Sequence, residues 1–217
     1  MRGLEADETA VWSDEDPTGA FAHLLAAAQA GQPEALSELW SRFSGGVAGF
    51  ARARGAADPD EITNDVFLAV FTNLADFTGD VGGFKALLFT IARRRVIDDL
   101  RRRERQLPST PWRLFDDQRT DEGPEDKAIA REAYLDLLGH INRLTDDQRD
   151  VVLLRLVGEL SIEEVATTLG KSPGSVKSLQ RRGLDAVRRR WSSSAATTGP
   201  PPHADPGADQ LKEGPSS

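Results

Sequence analysis

The stretch LPSTPWRLFDDQRTDEGPEDK, residues 107–127, limits the fold more than any other part of the chain. Pro108, Pro111 and Pro124 cannot donate a backbone hydrogen bond, and the run DDQRTDEGPED offers almost nothing to bury. It reads as a flexible linker. On both sides of it, apolar residues recur at helical spacing. The expected fold is therefore all-α, with two small helical domains, 20–106 and 128–191, joined by that linker. Residues 1–19 hold six acids against Arg2, together with Pro17 and Gly19, and read as a disordered acidic arm. Residues 192–217, rich in Pro, Gly and Ser, read as a disordered tail.

In the first half, helical periodicity begins near Phe21. Leu36, Leu39, Trp40, Phe43, Val47 and Phe50 form one stripe, with Gly45-Gly46 as a weak point where a kink is expected. Asp58 is placed to cap the next helix, with Pro59 at its first position and Glu61 three residues after the cap. Ile62, Val66, Phe67, Val70, Phe71 and Leu74 form its apolar stripe, leaving Asp60, Glu61 and Asp65 on the other side. DFTGDVGG, 76–83, reads as a loop. A further amphipathic helix is expected from near Phe84, burying Phe84, Leu87, Leu88, Ile91, Val96/Ile97 and Leu100. Its second part, IARRRVIDDLRRRERQ, packs seven arginines into 91–106.

In the second half, a helix is expected from about Pro124 to Leu144, with Ile129, Leu135, Leu138 and Ile141 inward. Thr145 with Gln148, and Ser161 with Glu164, have the spacing of capping boxes. Ser161 should cap a short helix with Ile162, Val165 and Ala166 inward. Leu169-Gly170 makes a turn, and Ser172 then caps a basic helix that starts at Pro173. Val176, Leu179 and either Leu184 or Val187 face its core. Short helix, glycine turn and longer basic helix are the parts of a helix-turn-helix. In that geometry Ser172, Gly174, Ser175, Lys177 and Ser178 enter the major groove, and Gln180, Arg181 and Arg182 follow within reach of bases or phosphates.

The formal net charge of −8 conceals a segregation of sign. Residues 56–80 hold six acids and no base, 84–106 hold eight bases against three acids, and 171–190 hold seven bases against Asp185. Two basic segments predict two polyanion contacts. Around the first, the aromatics Phe77 and Phe84 beside Lys85 and the arginines suit single-stranded DNA, where bases stack and phosphates are neutralised. The chain has no cysteine, which excludes disulfides and thiol chemistry, and His23, His140 and His203 show no metal-ligand spacing. With no Gly-rich phosphate loop either, no enzyme activity and no cofactor are expected. Lacking an apolar run of about 20 residues and a basic-then-apolar start, the chain is expected to be cytoplasmic, without a membrane span.

The order of these parts resembles an extracytoplasmic-function (ECF) sigma factor, the minimal two-domain type of the sigma-70 family. DEITNDVFLAVFTNL (60–74) is similar to that family's polymerase-binding helix, and FKALLFTIARRRVIDDLRRR (84–103) to its minus-ten recognition and melting helix. LTDDQRDVVLLRLVGELSIEEVATTLGKSPGSVKSLQRRGL (144–184) is similar to its minus-thirty-five domain. The resemblance implies a transcription initiation factor that binds core RNA polymerase, directs it to promoter DNA and helps melt the minus-ten region. It also implies an anti-sigma protein as a further partner. Glu61, Asn64 and Asp65, with the neighbouring Asp60, would face polymerase. Arg93, Arg94, Asp98, Arg101 and Arg102 match the minus-ten helix, while Ser175, Lys177, Ser178, Arg181 and Arg182 match the recognition helix. Leu87 stands where the family commonly has tryptophan, and Arg94 where it commonly has asparagine. For Asp98 the alternative role is an ion pair with Arg94 or Arg102 on its own helix. The rival for the whole chain is a helix-turn-helix regulator with a helical sensing or dimerisation domain, which has no need of the basic segment 84–106.

Overall fold

The computed structural model describes residues 17–106 and 134–197, with side chains described for 19–105 and 134–192. The 107–127 linker, the expected core residue Ile129 and most of both tails lie outside the described residues. The first half consists of α1 (Pro17–Gln29), α2 (Pro33–Ala53), α3 (Pro59–Thr72), a 3₁₀ turn at Leu74–Asp76 and α4 (Val81–Gln106). The second consists of α5 (134–142), α6 (Asp146–Leu156), α7 (Ile162–Leu169) and α8 (Pro173–Thr197). Among the described residues no strand is present.

The helix starts follow the capping chemistry of the sequence. The Asp58 side chain accepts from the Glu61 amide at 2.8 Å, and Pro59 takes the first position of α3. Thr145–Gln148 and Ser161–Glu164 form reciprocal capping boxes at the starts of α6 and α7. Gly170, at φ 62°, ends α7 in the left-handed conformation that glycine adopts at least cost. Ser172 Oγ accepts from the Ser175 amide at 3.3 Å at the head of α8.

Three boundaries differ from the sequence reading. α1 begins at Pro17, inside the segment expected to be a disordered arm; proline suits a first helical turn, where its missing amide proton has no partner to lose. α8 runs on to Thr197, so the tail starts later than Ser192; Ser192 Oγ donates to the Arg188 carbonyl and two alanines follow within the helix. α4 begins at Val81 rather than Phe84, because the Asp80 carboxylate accepts from the Gly83 amide at 2.8 Å and caps it. α2 runs as one continuous helix through the weak point Gly45-Gly46.

The first half closes around Phe21, Leu39, Phe43, Val47, Phe50, Val66, Phe67, Val70, Phe84 and Leu88, each buried. The Gln29 side chain ties α1 to the turn after α3, donating to the carbonyls of Leu74 (3.0 Å) and Phe77 (2.8 Å). The second half closes around Val151, Leu153, Leu154, Leu160, Val165 and Val176, with Leu179 and Val187 packed against them. Val187, rather than Leu184, completes that side of α8.

The two helical halves share one apolar core. α4 lies along α7, and α2 meets α6. Glycines make the approach close. A Cβ at Gly49 would sit 3.0 Å from Val157 Cγ1, one at Gly46 3.5 Å from the Val157 carbonyl, and one at Gly158 2.9 Å from the Phe89 ring. The glycine pair that reads as a weak point of α2 thus borders a docking site for the second half.

Candidate polymerase and nucleic-acid interfaces

Three surfaces carry the residues singled out by the sequence. On α3, Asp60, Glu61 and Asn64 are exposed and Asp65 is half-exposed. Asp65 lies 3.7 Å from Arg95 of α4, so the acidic helix and the arginine helix are joined at one point. The sequence reading missed Leu68. It is 68% exposed, and its spacing from Glu61, Asn64 and Asp65 places it on their face of α3. Counting the i+3 and i+7 positions from Glu61 would have found it.

On α4 the arginines divide by direction. Arg94, with 85% of its side chain exposed, Arg101 and Arg102 face solvent. Asp98 is also exposed, 4.0 Å from Arg94, which is the weaker, screened arrangement of an i,i+4 pair. Arg102 instead pairs at 3.0 Å with Asp99. Asp99 is buried and clamps the loop after α2 onto α4, accepting from the Ala57 amide at 3.1 Å and pairing with Arg103 at 3.0 Å. Leu87 is half-buried against the core. Phe77 is part-buried at the edge of the loop.

Phe84 requires a correction. It is 0% exposed, with ring centroids 5.6 Å from Phe21, 5.3 Å from Phe43 and 5.7 Å from Phe77. A side chain enclosed by three rings has no face to offer a base, so Phe84 is a core residue and not a stacking platform. Periodicity already placed it inward, and the aromatic-plus-basic pattern assigned it outward as well; packing decides for the core.

Arg93 and Lys85 turn toward the second half. Arg93 Nε donates to Asp150 Oδ2 at 2.6 Å, while Arg54 Nε lies 3.0 Å from Asp150 Oδ1 as an ion contact rather than an aligned hydrogen bond. The Asp150 and Arg54 side chains are 0% and 3% exposed, and Arg54 also donates to Asp146 at 3.3 Å. Beside them, burial and then the Arg54 charge lower the Arg149 guanidinium from its ordinary pKa, against the opposing pull of Asp146 and Asp150. Lys85 Nζ reaches the Glu159 carbonyl at 3.5 Å. Glu159 adopts φ 53°, unusual for a side-chain-bearing residue, in the turn between α6 and α7. Neither Arg54 nor Asp150 stood out in sequence, because the partners that bind them across the halves are 57 or more positions away.

On α8, Ser172, Gly174, Ser175, Lys177, Arg181 and Arg182 are exposed and Ser178 and Gln180 half-exposed, along one side of the helix that Val176 anchors beneath. Lys177, Gln180, Arg181, Leu184, Asp185 and Arg188 line a shallow concavity there. Among the described residues no group of His, Asp or Glu is arranged to hold a metal ion, and no helix is long and apolar enough to cross a membrane.

Residues 39–106 match the Sigma-70 region 2 family, and residues 134–187 match the Sigma-70, region 4 family. The chain is 31% identical over 168 residues to the ECF RNA polymerase sigma factor BldN of Streptomyces coelicolor, covering 76% of this chain and 64% of BldN. It is 31% identical over 160 residues to the ECF sigma factor RpoE of Cereibacter sphaeroides, covering 73% of this chain and 87% of that protein. Among solved structures, CnrH in complex with the cytosolic domain of CnrY is similar with a TM-score of 0.60 at 23% identity, covering 80% of this chain and 97% of that one. RpoE of Bartonella quintana in complex with the anti-sigma factor NepR has a TM-score of 0.55 at 18% identity, over 72% and 96% of the two chains. These two likenesses concern the fold. A region 2 match on the first half removes the ordinary helix-turn-helix regulator, which has no such domain. The chain belongs to the ECF sigma factors of the sigma-70 family, the subunits that direct core RNA polymerase to promoters.

Proposed function

We propose that this sigma factor divides its work among the three surfaces described above. The face of α3 bearing Asp60, Glu61, Asn64, Asp65 and Leu68 binds core polymerase, its carboxylates meeting a basic partner surface and Leu68 filling an apolar site. Arg94, Arg101 and Arg102 of α4, joined by Arg93, Lys85, Asp98 and Phe77, hold the single strand that leaves the duplex at the minus-ten element. The exposed side of α8 from Ser172 to Arg182 enters the major groove at the minus-thirty-five element. The observation that carries this reading is the separation of two basic surfaces onto two helices of different halves, α4 and α8, with the acidic face on a third. Stacking contributions fall to Phe77 and not to Phe84. The protein has no catalytic step of its own; bond formation is the polymerase's. It works in the cytoplasm, where its DNA is, and an anti-sigma protein of the kind seen with Bartonella RpoE is a further partner.

The test pairs two variants in reconstituted holoenzyme. Alanine at Arg181 and Arg182 should lower binding to duplex promoter by about 1–3 kcal/mol per base-reading arginine, with less loss on a template already open at minus ten. Alanine at Arg94, Arg101 and Arg102 should reduce permanganate reactivity of unpaired thymines while leaving duplex binding closer to wild type. Equal loss of duplex binding in both variants, with strand opening unchanged in either, would mean that α4 is only a second phosphate clamp.

A further inference from the structure

Gln29, the last residue of α1, binds a loop that is 45 and 48 positions away in the chain. A carboxamide nitrogen carries two N–H groups. Here Nε2 donates to the Leu74 carbonyl at 3.0 Å and to the Phe77 carbonyl at 2.8 Å. The anchor is itself fixed. Gly31, at φ 78°, closes α1: its amide donates to the Ala28 carbonyl and the Gln32 amide to the Ala27 carbonyl. Phe21 of the same helix packs against Phe84. The two carbonyls held by Gln29 bracket the 3₁₀ turn Leu74–Asp76, at the point where the chain leaves the core for Thr78, Gly79 and Asp80. All three of those residues are exposed. On the far side, the Asp80 carboxylate accepts from the Gly83 amide at 2.8 Å. Between these two anchors the Phe77 ring stands edge-on to Phe84 and lies close over Gly79, where a Cβ would be 2.9 Å from its Cζ. An exposed loop with no apolar residue at its tip has little else to order it, and a loop ordered in advance spares an arriving ligand that entropy cost.

We propose that Gln29 is a positioning residue for minus-ten recognition: its two hydrogen bonds hold the loop 77–80 in the form that receives an unstacked base. The inference rests on the assignment of Phe77 and α4 to minus-ten DNA. It makes α1, which precedes the region 2 match at 39–106, a working part of the promoter reader. Gln29 acts through the backbone of Phe77 and does not itself touch DNA. The chemistry of the contact is demanding, because both acceptors are main-chain carbonyls and need N–H donors from one side chain. Gln29→Leu keeps the length of the side chain and removes both donors. Gln29→Glu keeps the shape and sets carboxylate oxygens against two carbonyl oxygens, which reverses the attraction. In either variant the loop loses its tie to α1, and the Phe77 ring loses the backbone position that sets it over Gly79.

The test uses reconstituted holoenzyme and a set of promoter DNAs already open at minus ten. In each, one nucleotide of the exposed strand is replaced by an abasic site. The wild type should lose about tenfold or more in affinity at the position whose base enters the loop, as expected for one stacked base. Gln29→Leu and Gln29→Glu should bind the intact DNA about tenfold more weakly, on the scale of one or two hydrogen bonds. At the abasic position they should lose little more, because the loop no longer receives the base. Leu25→Ala is the control for a purely structural role: it removes a buried side chain of α1 and leaves both carbonyls paired. It should lower the unfolding midpoint at least as far as the Gln29 variants do, yet keep the full abasic penalty. Gln29→Glu, with the shape of the native side chain, keeps the test valid if Gln29→Leu fails to fold. The positioning role is overturned if the Gln29 variants keep the abasic penalty of the wild type, or if Leu25→Ala loses it as they do. A wild type with no position-specific penalty would overturn the assignment of the loop to minus-ten DNA and the inference with it, so the two failures are told apart.

Discussion

Replacing Phe84 with alanine separates a core role from a DNA role by magnitude. The ring is 0% exposed and meets Phe21, Phe43 and Phe77 at centroid distances of 5.6, 5.3 and 5.7 Å, all tilted or edge-on. Phe→Ala at buried sites costs about 3–5 kcal/mol through lost transfer energy and a residual cavity. Each aromatic pair contributes about 0.5–1.5 kcal/mol beyond its area, so a site with three of them belongs at the upper end of that range. Against a total stability of about 5–15 kcal/mol, such a loss leaves the first half marginal. In a chain of this size it corresponds to roughly 6–20 °C in the unfolding midpoint, at about 2–4 °C per kcal/mol. Phe84→Leu retains most of the volume and should cost less than half as much. The assay is urea unfolding followed by circular dichroism, run beside permanganate footprinting in holoenzyme at a temperature where the variant is still folded. A loss below about 1 kcal/mol, accompanied by a selective defect in strand opening, would refute the reasoning. It would mean that the ring leaves the core to meet DNA.

Three further outcomes are expected. Lysine at Asp60, Glu61 and Asp65, or at Leu68 alone, should weaken association with core polymerase in a pull-down while moving stability by no more than about 0.5 kcal/mol per exposed site. Asp99→Ala should destabilise the first half by about 1–3 kcal/mol in thermal unfolding, because it removes a buried carboxylate that accepts from the Ala57 amide and pairs with Arg102 and Arg103. Gly170→Ala should cost about 1–2 kcal/mol in unfolding of the second half, since an alanine Cβ is strained at φ 62° although space is open around it.

Local chemistry made most of the secondary structure legible in sequence. Asp58-Pro59, Thr145–Gln148, Ser161–Glu164, Gly170 and Ser172 each work within four residues, so the caps they form require nothing from the rest of the fold. Apolar stripes such as Leu39–Phe43–Val47–Phe50 likewise announced their buried faces, because side chains three or four apart share a helix surface. The charged face of α3 and the exposed side of α8 were readable for the same reason. The order of the strings 60–74, 84–103 and 144–184 carried the family resemblance.

What the sequence could not show are the relations between distant positions. The linker composition separates two helical halves but says nothing of whether they touch. Only the tertiary structure brings Asp150 between Arg54 and Arg93, sets Glu164 over Gly82 and lets Val157 approach Gly46 and Gly49. It also decides which arginines of one helix face solvent and which face a neighbour, so that Arg94 stands in water and Arg93 is held by a buried carboxylate. Capping and periodicity are set by neighbours along the chain, whereas burial of a charge depends on what packs over it, and that is decided only when the halves meet.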